Sequence, residues 1–331
     1  MDLRIDPIQE RLANAVDTVL TRTGVPHTEL ASIGLPALSI REESGGLGLG
    51  LDADIMVNER LGYGLEPFGA YRETVLALEL VDPDDIPDSL LLELIKGIRH
   101  AMTVGTHTTP VISADAEGRL HGQSECLPVA ELGLLVVRAR EHDGGTGWYL
   151  VPPDLPGCRI EKVRRLGTPQ LRMSLDFAEG VPVLIDDGRV ETALNFARVR
   201  QAALLLGLAR RAISEARDHV NSRHQYEKPL VELQTVAHGL ARLSGEGDGW
   251  NLLTHETGWN CDRGRAGTQD TALLLAAAVE HAFQASRKCV QLHGVRGMLD
   301  HSVPAIIYRL VSIEGLRMGT PAELWRLAAL G

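Results

Sequence analysis

Arg223-His224-Gln225-Tyr226-Glu227-Lys228-Pro229-Leu230, with Gln234 and His238 just beyond, stands between two stretches in which apolar residues recur at helical spacing. Upstream the period runs over residues 191–221 and downstream over 230–254, and two further helical segments follow at 271–292 and 304–317. Four long helices predict an antiparallel bundle. A last short helix is predicted from Thr320-Pro321-Ala322-Glu323, which sets a capping hydroxyl, a proline in the first helical position and a carboxylate three residues on.

Working outward, residues 8–101 also carry a helical period, broken by Gly and Pro into short pieces. Between about 103 and 187 the texture changes to short apolar runs, at 132–137, 148–151 and 171–177, separated by Gly, Pro and Asp clusters. The expected division is a helical domain over 1–102, a β domain over 103–187 and a helical bundle over 188–331. The glycine-rich run 45–50 reads as a plain turn between helices, because no strand precedes it and no GK[ST] follows.

A net charge of −11 gives nucleic acid or an anionic bilayer nothing to attract in bulk, so an anionic ligand must be met by local cations. The cysteines at 126, 158, 261 and 289 show no paired spacing for zinc or redox work, so reduced thiols and no metal site are expected. No signal-peptide pattern and no apolar run of membrane-spanning length is present, and the expected location is cytoplasmic.

Several segments, in order, resemble the acyl-CoA dehydrogenase family. Leu35-Pro36-Ala37-Leu38-Ser39-Ile40, then Glu42, Glu43 and the glycine turn, is similar to the family's "G-(L)-P-E-E-x-G-G-x-G" run, and Glu59 with Leu61-Gly62 continues it. The stretch from Arg223 resembles "R-x-x-F-G-x-x-(I/L)…Q…(H)", and Gln291-Leu292-His293-Gly294-Val295-Arg296-Gly297 resembles "Q-x-x-G-G-x-G". The resemblance implies an α+β, mainly α fold: an N-terminal helical domain, a middle β barrel and a C-terminal four-helix bundle. It also implies oxidation of an acyl-CoA to the 2-enoyl-CoA with FAD, a glutamate removing the α-proton. In such subunits the bundle residues reach a neighbour's FAD, which assigns Arg223 to phosphate, Tyr226 to an aromatic contact, Gln291 to the adenine side, and Gln225 and Gly294 to the same site. Glu227 stands where Gly is usual, and Val295 replaces the second Gly.

The usual base lies nine residues beyond an arginine in a "Y-E-G-T" run; nine from Arg309 is Met318, in Arg317-Met318-Gly319-Thr320. A minority of members place it on the first bundle helix, where this chain has Ala197. A thioether and a methyl group cannot accept the proton. Glu314, Glu191 and Glu215 are the replacement carboxylates, each reading as a solvated helix residue, with Glu314 the one weak catalytic candidate. The family's flavin-side segments are unrecognisable in residues 104–110 and 126–129. Loss of both bases with survival of the FAD motifs is what the resemblance implies for the non-catalytic partner in an α2β2 heterotetramer. A longer catalytic subunit would supply the base, as in complexes that shorten steroid side chains. The other readings are a self-sufficient acyl-thioester enzyme with a displaced carboxylate, or a flavin-independent one using His107, His121, His219 or His293, although a lone histidine is more often structural.

Overall fold

A computed structural model describes residues 7–20, 34–38, 40, 42, 45–66, 69–107, 110–225 and 227–330. Its helices are α1 (Pro7–Leu20), α2 (Gly50–Tyr63), α3 (Gly69–Leu80), α4 (Asp88–Ile95), α5 (Asp187–Ser222), α6 (Gln234–Cys261), α7 (Thr268–His293), α8 (Val303–Glu314) and α9 (Pro321–Ala329). Its strands are β1 (His100–Val104), β2 (Ile112–Ala114), β3 (Leu120–Gln123), β4 (Leu132–Arg140), β5 (Thr146–Val151), β6 (Cys158–Arg165), β7 (Thr168–Ala178), β8 (Val181–Val183), β9 (His224–Gln225) and β10 (Lys228–Pro229). Contacts gather the chain into two compact units, one of Met1–Thr23, Leu51–Pro67 and Arg198–Gly331, the other of Gly24–Gly50 and Phe68–Ala197.

In the second unit β1 to β8 form one sheet that curls into a half-barrel, in the order β6-β7-β3-β2-β4-β5-β8, with β1 on β4. Most neighbours are antiparallel, but β1 and β2 both run parallel to β4, one beside Leu132–Val137 and the other beside Ala139 and Arg140. The alternate residues Leu135, Val137 and Ala139 of β4 meet Met102, Ile112 and Met173 in the core, as the period-2 geometry of a strand requires. The β6–β7 hairpin turns at Leu166 and Gly167, both at positive φ (49° and 78°), the backbone of a two-residue primed turn whose twist matches the strands. On α3, Glu73 is buried and accepts from Thr103 N (3.3 Å) and Thr103 Oγ1 (2.7 Å), so its carboxylate is hydrogen-bonded away from water.

The glycine run before α2 is a turn. Leu47 N, Gly48 N and Leu49 N donate to the carbonyls of Ala37 (2.7 Å), Ile40 (2.9 Å) and Leu38 (2.8 Å), so these donors are spent on the chain itself. A phosphate cradle needs such groups free. Ser39, Glu43 and part of the segment around them lie outside the described residues.

The first unit is the bundle of α5 to α8, with α2 against α5. The two helices approach so closely at Gly62 and Gly207 that a Cβ on either would run into the other helix's backbone, at the carbonyls of Leu204 and Glu59. Two turns away, Asp54 and Arg200 form an ion pair of 3.1 Å with both side chains at most 1% exposed. The four segments expected at 191–221, 230–254, 271–292 and 304–317 appear as α5 to α8, and the second starts later and runs longer. Pro229 in β10 and the 3-10 turn Leu230–Glu232 postpone its start, and His255 Nδ1 beside Asp52 (2.8 Å) lies in the added turns. Thr320 caps α9 in a capping box, and Trp325 Nε1 donates to Glu280 Oε1 of α7 at 2.7 Å. Among the described residues no helix is long and apolar enough to cross a membrane.

Candidate functional site

The last turn of α5 is closed by Arg223 N donating to the His219 carbonyl at 2.9 Å. The chain then doubles back through β9 and β10, and Leu230 N returns to the Arg223 carbonyl at 2.8 Å. Glu227, just before β10, lies at φ +65°, in the left-handed region that glycine occupies without cost. Tyr226 lies outside the described residues.

Beside this hairpin, α7 ends at His293 and Gly294 caps it with φ +60° and ψ −139°, a conformation reserved for glycine. The cap N–H donates to the Gln291 carbonyl, and the 3-10 turn Gly294–Met298 follows. Gly297 is pressed against Val290 O and His293 Cβ, with no room for a side chain. Its tightness holds Arg296 at the helix end.

Between the hairpin and the end of α7 opens a groove of about 710 Å³. Arg223, Gln225, Gln291 and Gly294 all line it, so four of the five residues singled out for the cofactor converge. Sequence reasoning missed two other members. Lys288 and Arg296 add two cations, and no ion pair among the described residues engages Arg223, Lys288 or Arg296. His219 stacks on His293 with ring centroids 4.1 Å apart at 28°. Burial, then the charges of His293, Arg223 and Arg296, push His219 below the usual histidine range. Cys289, below the stack, is inert, because burial and then Glu215 raise its thiol to about 12. Helical periodicity could have flagged Lys288, which lies one turn before Gln291; nothing local marks the histidine stack. The chemistry of this donor set suits a diphosphate: two guanidiniums, an ammonium and side-chain amides around an open groove.

The two positions where a base was expected are apolar and buried. Met318 is 8% and Ala197 9% exposed. Glu191 is exposed at the start of α5, and Glu215 pairs with Arg211 at 2.7 Å on the helix surface. Glu314 departs from the solvated reading, with 3% exposure. It ends α8 facing α5, where Gln201 Nε2 donates to its carbonyl at 2.7 Å and reaches Oε2 at 3.3 Å. Arg317 Nε and Nη2 donate to Oε2 (2.9 Å) and Oε1 (2.8 Å). A carboxylate with both oxygens held this way is a structural tie, not a free base.

In the sheet unit, Leu127 exchanges backbone hydrogen bonds with Leu171 and is buried, and Cys126 Sγ accepts from Arg172 Nη2 at 4.0 Å. Thr108 and Thr109 lie outside the described residues. His121 stacks on Phe177 at 5.9 Å. A cleft of about 500 Å³ in this unit has an apolar floor including Leu78, Val81 and Phe196. At its rim Arg189 Nε is tied to the Glu79 carbonyl at 3.1 Å.

The family model described as "Acyl-CoA dehydrogenase, C-terminal domain" matches residues 187–327. A curated relative, L-prolyl-[peptidyl-carrier protein] dehydrogenase of Pseudomonas fluorescens, is 24% identical over 81% of this chain and 79% of its own length. The solved Tcur3481-Tcur3483 steroid ACAD superposes with a TM-score of 0.86 at 21% identity, covering 98% of both chains. The ChsE4-ChsE5 complex from Mycobacterium tuberculosis does so with a TM-score of 0.83 at 19% identity, covering 98% of this chain and 97% of that one.

Proposed function

We propose that this chain, whose residues 187–327 match the acyl-CoA dehydrogenase C-terminal domain and which superposes on a solved steroid ACAD, is the non-catalytic partner in an α2β2 heterotetramer, completing the FAD site of a longer catalytic subunit. The complex would oxidise an acyl-CoA to the 2-enoyl-CoA, with a steroid side-chain thioester as the candidate substrate class. Two solved neighbours with closely matching folds are two-chain assemblies by their names, and one is a steroid ACAD.

The observation that carries the reading is the separation of the groove from the vacant base. Gln201, which holds Glu314 near Met318, and His219, which lines the groove, lie on the same helix eighteen residues apart, about 27 Å at 1.5 Å per residue. A diphosphate in the groove therefore belongs to a cofactor whose reacting end is served from elsewhere, and a neighbouring subunit is the natural source. Bound FAD would supply the hydride acceptor. Arg223, Arg296 and Lys288 would hold its diphosphate, and Gln225 and Gln291 would offer amides to the adenosine side. This chain moves no proton from the substrate: Met318 and Ala197 have no basic atom, and Glu314 is already tied to Arg317. That tie also disfavours the displaced-carboxylate alternative.

The test is to purify the chain alone and together with a longer acyl-CoA dehydrogenase subunit that keeps its base. The lone chain should be colourless and inactive, since losing a general base costs about 10²–10⁴-fold in rate. The pair should be yellow and oxidise acyl-CoA. Yellow colour with acyl-CoA oxidation by the lone chain would overturn the reading.

A further inference from the structure

We propose that the stacked rings of His219 and His293 form a one-proton latch for a diphosphate diester, the groove drawing a proton from solvent as the anion enters. This rests on the diphosphate reading of the groove and adds its control. The argument begins with tautomers. His293 Nδ1 lies 2.9 Å from the Cys289 carbonyl, and a carbonyl only accepts, so Nδ1 carries the hydrogen. His219 is likewise held by the backbone of Leu292. In each neutral ring the remaining nitrogen is a lone pair, which repels a phosphate oxygen. A proton turns it into a charge-assisted donor.

Both rings line the groove, and their centroids are only 4.1 Å apart. Like charges that close repel strongly, so the pair accepts one proton and resists a second. The surrounding charges set the balance. From α5 come Arg223 and, one turn before His219, Glu215, which is engaged with Arg211. From α7 come Lys288 and the un-ionised Cys289 thiol, and from the 3-10 turn Arg296. The hairpin contributes neutral Gln225, and α6 contributes Thr235 and Val236, which bring no charge. The free groove is therefore cationic and disfavours a charged His219. A diphosphate reverses the local potential and favours the imidazolium.

The sign follows. The bound state has the higher histidine pKa, so affinity rises as pH falls through the bound value and levels off below the free one, which for His219 lies under the ordinary histidine value.

The probe is FAD, whose diphosphate diester does not itself titrate near neutrality. The full chain, assembled with a longer catalytic subunit and freed of flavin, would be titrated calorimetrically in two buffers of different ionisation heat at one pH, and then across pH. The expected result is uptake of close to one proton and affinity that tightens by up to about tenfold per pH unit lowered within the window. The double variant His219→Phe with His293→Phe keeps two stacked rings and should bind FAD with an affinity independent of pH. FAD binding by the unaltered complex without proton exchange would sink the latch and leave the diphosphate reading intact. No FAD binding at any pH would sink both.

Discussion

Arg317 grips both carboxylate oxygens of Glu314, at 2.8 and 2.9 Å, three residues along the same chain. The pair sits where α8 meets α5, with Glu314 almost wholly buried and Arg317 11% exposed. Removing one member of a buried pair leaves the other desolvated and uncompensated.

Glu314→Gln should therefore lower stability by about 3 kcal/mol and leave acyl-CoA oxidation by the two-subunit complex unchanged. Urea unfolding of the chain and turnover of the complex separate the two effects. Abolished turnover in a variant that stays folded would restore Glu314 as a base.

Arg223→Ala should weaken FAD retention by the complex, with charge-assisted hydrogen bonds to phosphate worth about 1.5–3 kcal/mol. Flavin fluorescence released on dilution reports the loss. Retention equal to the unaltered complex would place the diphosphate elsewhere.

Gly207→Ala should destabilise the bundle by at least the 1–3 kcal/mol typical of about one overpacked methyl group. At this position the clash is with the rigid backbone at Glu59, not with a flexible side-chain tip. A thermal melt matching that of the parent would mean α2 and α5 are further apart than described.

Glu227→Gly should raise stability modestly. A left-handed residue with a Cβ costs roughly 1–2 kcal/mol, and glycine's extra freedom in the unfolded chain returns about half of the gain. Chemical denaturation of the two proteins side by side decides it, and a loss of stability contradicts the +65° backbone.

The cap of α9 should fail in acid. The backbone and hydroxyl of Thr320 hold the Glu323 carboxyl below its ordinary value of 4.5. A depressed folded pKa stabilises fully above the unfolded value and is lost as pH falls through the folded one. Amide exchange in residues 321–329 should accelerate in acid before the rest of the bundle, and Thr320→Ala, costing about 1 kcal/mol, should speed it at neutral pH. Uniform exchange would sink the prediction.

What was legible in the sequence was whatever local physics sets. A stripe of apolar residues at helical spacing needs no knowledge of its partner, so α5 to α8 could be read, as could the Thr320 cap. The loops at 223–230 and 291–297 could be quoted as motifs because their residues are contiguous. Their convergence on one groove, with Lys288 and Arg296 beside them, could not be read, since it depends on how α5 and α7 end together. The two histidines looked like isolated residues for the same reason: seventy-four positions separate rings that touch. Glu314 was misread as solvated because its burial is decided by Gln201, 113 positions earlier. The parallel pairing of β1 and β2 with β4 is equally non-local.

Asp54 leaves the ribosome 146 residues ahead of Arg200. At roughly 5–20 residues per second, the acid waits on the order of ten seconds for its guanidinium. During synthesis α2 has no bundle to close against, and an excised C-terminal segment starting at α5 would lack the carboxylate that meets Arg200 in its interior: the last wall of the bundle is translated first.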